Sequence, residues 1–149
     1  MTKKDWIITA AIVLAIVAAL SVFCVPCRLD RVLGLDNETP TRISGHVSTD
    51  IFASIRSYKP VSEQEMTAFM ETLQTAQVTY VNGKNVYQVG DVCADVVVHY
   101  GEDQRCVFAL SDNGTIHYGN KNYKCKDTAV LKALLTQIES WELYHESTP

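Results

Sequence analysis

This chain contains no Gly-x-Ser-x-Gly elbow, no His-Glu-x-x-His pair and no glycine-rich phosphate loop. The familiar serine-hydrolase, zinc-protease and phosphate-cradling chemistries therefore have no signature here. A surplus of positive charge is also missing. Thirteen Lys and Arg stand against 17 Asp and Glu, for a formal net charge of −4, and past Val25 the balance is 11 against 16. Nucleic-acid binders take most of their affinity from cations on phosphate, so this balance argues against a nucleic-acid partner. It equally disfavours a domain lying flat on anionic lipid. No repeat or low-complexity stretch occurs, and apolar content at 47% with 20% charged residues is that of a folded chain.

What is present is an uncharged run from Trp6 to Val25 in which only Thr9 and Ser21 are distinctly polar. A helix of twenty residues is about 30 Å long, the thickness of a bilayer's hydrocarbon core. Having no polar face, it is expected to be a single-pass membrane helix. The competing expectation is a cleaved secretory signal, with Ala19-Leu20-Ser21 as the cleavage site and a secreted product. Val22, Phe23 and Val25 continue the apolar run beyond that site, which favours an uncleaved anchor. Lys3 and Lys4 on one side nearly tie with Arg28 and Arg31 on the other. The short amino-terminal tail favours the cytoplasm for that end, which places the large domain outside it. Cys24-Val25-Pro26-Cys27 resembles the Cys-x-Pro-Cys motif of thioredoxin-type oxidoreductases over four residues. It falls at the carboxyl end of a helix, where the dipole opposes a thiolate.

The remaining length suits one domain. Three parts are expected: residues 1–25 as anchor or signal, 26–41 as a linker broken by Pro26, Gly34, Asn37 and Pro40, and 42–149 as an extracytoplasmic α+β domain. Ile43 to Val47 and Asp50 to Tyr58 read as extended, the second with Ile51, Ala53 and Ile55 on one side. Ser62-Glu63-Gln64-Glu65 is a capping box opening a helix with Met66, Phe69, Met70 and Leu73 on its buried face. Val78 to Val81 is β-branched and followed by an Asn82-Gly83 turn. From Asp91 to Tyr100, Val92, Ala94, Val96 and Val98 alternate with Cys93, Asp95, Val97 and His99. Arg105 to Leu110 returns through Ser111-Asp112-Asn113-Gly114, a three-residue hairpin loop that pairs Leu110 with Ile116 and Phe108 with Tyr118. A last helix is expected from Thr128 to Leu143, capped by Asp127. The fold class is α+β, an N-terminal transmembrane helix followed by a small two-layer domain of antiparallel sheet with two helices packed on one face.

Two functional classes follow. In the first, the exposed sheet face formed by Val97, His99, Val107, Ala109 and His117 binds a protein or an envelope polymer. The protein is then a membrane-anchored extracytoplasmic binding or accessory module without recognised catalytic residues or cofactor. In the second, Cys93, Asp95, His99 and His117 form a small metal-binding or redox enzyme. Asp95 and His99 are about 13 Å apart along one strand, so another element must complete any such site. Of the thiols, Cys93 falls on the opposite side of the sheet from Cys106; in an exported domain Cys106 with Cys125 is the geometrically preferred disulfide pair, and buried free thiols are the competing expectation. Asn37-Glu38-Thr39 and Asn113-Gly114-Thr115 match the glycosylation sequon.

Overall fold

The computed structural model describes residues 3–49, 54–81 and 91–147, without the side chains of Lys3 and of residues 20–24. The expected Asn82-Gly83 turn, and Ile51 and Ala53, lie outside the described residues. The domain is α+β, with four helices and a nine-stranded sheet. The strands are β1 (Cys27–Arg28), β2 (Pro40–Ser48), β3 (Ile55–Lys59), β4 (Gln77–Val81), β5 (Cys93–Tyr100), β6 (Gln104–Ser111), β7 (Thr115–Tyr118), β8 (Lys121–Cys125) and β9 (Glu142–Ser147). They lie in the order β1-β4-β8-β7-β6-β5-β2-β3-β9, and all neighbours run antiparallel.

Alternation of side chains decides which face is covered. Ile43 and Val47 of β2, Ala94, Val96 and Val98 of β5, and Cys106, Phe108 and Leu110 of β6 are all buried on one side. Against them pack α3 (Glu63–Thr75) and α4 (Thr128–Ser140), through Phe69, Leu73, Leu131, Leu134, Leu135 and Ile138. Helix α3 opens on the expected capping box: the Ser62 hydroxyl accepts from the Glu65 amide while the Glu65 carboxylate accepts from the Ser62 amide. Gly45 lets α4 approach β2 closely, since a Cβ there would lie 2.4 Å from Cγ2 of Ile138. The β6–β7 hairpin has the expected register, Leu110 opposite Ile116 and Phe108 opposite Tyr118, with Gly114 at φ 91°.

Helix α1 (Lys3–Cys24) forms where the apolar run predicts it and leaves the body beside β4. Trp6, Ile7, Ile8, Ile12, Val13, Leu14, Ile16 and Val17 are each more than half exposed. Among the described residues no helix is long and apolar enough to cross a membrane.

Two expectations are corrected. Residues 26–41 are not a loose linker. Cys27 pairs with Val78, the short helix α2 (Leu29–Val32) follows at once, and Leu29, Leu33 and Leu35 are at most 1% exposed. The apolar side chains of that stretch cluster too densely to stay in water. Asp30 anchors it: fully buried, its carboxylate accepts from the Arg28 guanidinium and from the Arg31 amide at 2.8 Å. The last helix stops at Ser140 rather than Leu143. Trp141 turns extended (ψ 171°) and packs edge-on against Phe69, and the rest becomes β9, paired with β3. In β3 the buried residues are Ser57 and Tyr58, while Ile55 is 48% exposed.

Candidate functional site

Because α3 and α4 cover one side of the sheet, the opposite side of its central strands carries no packed helix among the described residues. The residues on it follow from register alone. Across β2, β5 and β6 runs a row of Arg42, His99 and Arg105, followed by Ser44, Val97 and Val107. A third row is longer: Ser57, His46, Asp95, Ala109, His117 and Asn122, drawn from β3, β2, β5, β6, β7 and β8. The five residues expected to form the partner face, Val97, His99, Val107, Ala109 and His117, therefore do share one face. Val107 is 47% exposed at its centre.

Several polar groups of this face pair across neighbouring strands. Arg42 Nη2 donates to His99 Nε2 at 3.0 Å, which makes that imidazole the Nδ1–H tautomer. His46 Nδ1 and the Ser57 hydroxyl are 2.8 Å apart, as are His117 Nδ1 and Asn122 Oδ1. Ser57, His46 and Asp95 are the residue types of a nucleophile, base and carboxylate. Yet no ion pair joins His46 to Asp95 among the described residues, and Ser57 is only 4% exposed. Its hydroxyl is thus a structural partner of His46 and is not presented to a substrate.

The second functional class fares differently. Cys93, Asp95, His99 and His117 are not brought together: Cys93 and His99 stand at opposite ends of β5, and His117 is two strands from Asp95. Among the described residues no group of three or more His, Cys, Asp or Glu is arranged to hold a metal ion. The thiols are set against nucleophilic chemistry. Burial pushes Cys93 up, with Asp95 and Asp112 adding to it, and pushes Cys106 up to about 11 against a smaller opposing hydrogen bond with Tyr118.

The expected Cys106–Cys125 disulfide is also corrected: both are free and buried. They sit on β6 and β8 with β7 between them. Register puts Cys125 near the Gly114 end of the hairpin and Cys106 beyond its other end, roughly 20 Å away along the strands. A disulfide needs its Cα atoms within about 7 Å. Core-facing parity was legible in the sequence, but position along the strand was not.

Two cavities flank the sheet. One of about 710 Å³ lies between α3 and residues 35–41, with Met66 and Met70 on its floor and Glu38, Glu63 and Glu71 around it. The other, about 510 Å³, sits at the β5–β6 turn and is lined by Arg42, His99 and Arg105 together with turn residues. Sequence reasoning missed Arg42, His46, Ser57, Arg105 and Asn122: the β2–β5 register sets Arg42 beside His99 and His46 beside Asp95, β2–β3 adds Ser57, β5–β6 sets Arg105 beside His99, and β7–β8 sets Asn122 beside His117. No protein-family model, curated protein or solved structure matches the chain.

Proposed function

We propose that this protein is a membrane-tethered binding module, with α1 in lipid and the uncovered sheet face turned toward a protein partner outside the cytoplasm. The observation that carries this reading is the one-sided cover of the sheet. Helices bury one face, while Val97 and Val107 stand opposed on the other between two polar rows. A small apolar centre with a polar rim is the composition of a transient protein interface. The lipid half of the reading is supported by apolar side chains exposed around α1 and by the apolar run continuing in sequence to Val25.

The test uses the full chain in its native membranes, carrying a photo-cross-linking side chain at Val107 or, as a control, at Lys132 on α4. The expected result is a discrete adduct from Val107 alone, abolished by Val97→Lys. A heterogeneous ladder would replace the protein partner with an envelope polymer, and equal labelling from both positions would sink the face assignment. Alkaline carbonate should leave the chain in the membrane pellet. Recovery in the supernatant with its amino terminus intact would remove the tether.

A further inference from the structure

We propose that Arg42, His99 and Arg105 form an oxyanion-binding subsite on this face, taking a carboxylate or phosphate group of the ligand. The inference rests on the binding-face reading and gives it a ligand chemistry. Register places Arg42 of β2 and Arg105 of β6 on either side of His99 in β5. The two arginines are thus about 10 Å apart at the backbone, within reach of one small anion above the imidazole. Arg42 and Arg105 are like charges flanking one imidazole, an arrangement that an anion bound between them relieves.

The chain has carboxylates to spare, yet none is spent here. The ion pairs among the described residues are Arg28–Asp30, Arg31–Asp36, Arg56–Glu146 and Lys59–Glu142. Arg42 and Arg105 belong to none of them, although Glu102 and Asp103 lie in the turn that lines the same cavity. Among the described residues the side-chain hydrogen bond of Arg42 goes to the His99 imidazole, which brings no negative charge to it. The cavity, about 510 Å³ and open to solvent, has room for an oxyanion with the group that carries it. Next to this row along the strands stand Val97 and Val107, so a ligand entering with its anion at Arg42 and Arg105 lays an apolar portion on the valines.

A planar guanidinium holds either oxyanion bidentately, and His99 responds to the exchange. When an oxyanion takes the Arg42 fork, the Arg42–His99 hydrogen bond opens and Nε2 of the imidazole loses its donor, which changes the surroundings of the ring. The groups facing that imidazole are Arg42 from β2, Arg105 from β6, and Glu102 and Asp103 from the turn.

The test is a titration of the full chain in non-ionic micelles with sodium phosphate and with sodium acetate, each against sodium chloride at equal ionic strength. The histidine ring resonances are followed by NMR. Saturable shifts are expected at His99, with little change at His117. Arg42→Gln and Arg105→Gln should each weaken the response about tenfold, the loss of one charge-assisted contact. Lys132→Gln should leave it unchanged. A response to phosphate alone assigns a phosphoryl group, and one to acetate alone assigns a carboxylate. Shifts no larger than with chloride, or retained in both arginine variants, overturn the subsite. Because the readout is His99 itself, that failure leaves the cross-linking result at Val107 standing, and a failure of cross-linking leaves this one standing.

Discussion

Gly45 illustrates how a single position sets the spacing of two layers. It is neither in a turn nor at positive φ, so only the approach of Ile138 explains it. Gly45→Ala should destabilise the domain by about 1–3 kcal/mol through overpacking, measured by denaturant unfolding. The thiols make a second case. Iodoacetamide on the native protein should label exposed Cys27 and leave Cys106 and Cys125 protected until unfolding, as read by peptide mass. Cys106 also ties stability to pH. Its folded value, about 11, lies above the ordinary 9.0, so the unfolded thiol ionises first. Its contribution is whole below pH 9 and is lost as pH rises towards 11. The difference between wild type and Cys106→Ala should therefore narrow across that window. Parity in the sequence placed Cys106 on the core side, but which cysteines are neighbours depends on strand order, which no local pattern encodes.

Local signals were readable wherever the chain closes its own hydrogen bonds. The capping box before α3, Asp127 before α4 and the Gly114 loop all formed as expected. Ser62→Ala should cost about 1 kcal/mol of stability, seen as a lowered denaturation midpoint with an unchanged slope. Signals failed where a distant partner decides. The stretch Cys27–Leu35 looked like punctuation because Pro26, Gly34 and Asn37 surround it, yet Leu29 donates its amide to the Ala76 carbonyl at 2.8 Å and its leucines fill the core. Likewise Leu143 continues a helical pattern on paper. The pairing of Tyr58 with Leu143 and Lys59 with Glu142 draws the segment into the sheet instead. Half of the open face was legible for the same reason: Val97, His99, Val107, Ala109 and His117 come from one meander, whereas Arg42, His46 and Ser57 arrive from β2 and β3.

Taken together, the nine strands form an open sheet rather than a barrel, ending in β1 on one side and β9 on the other. Cooperative stability should follow the cover of the helices. Backbone amides of β2, β5 and β6 are expected to exchange slowest in hydrogen–deuterium exchange, and those of β9, whose residues Glu142 to Glu146 are all exposed, fastest among the strands. Protection of β9 equal to that of β5 would mean that its outer edge is covered by something else. Charged Glu142 and Glu146, tied to Lys59 and Arg56, guard that edge against pairing with other strands.

The join between α1 and the sheet has a spatial meaning. Only Val25 and Pro26 separate the end of α1 at Cys24 from the first paired residue, Cys27, a gap that spans no more than about 10 Å even when stretched. On the membrane reading there is no leash, so the domain cannot roam in search of its ligand. It would ride at the bilayer surface like a fixture on a wall, and whatever it recognises would have to come to that wall.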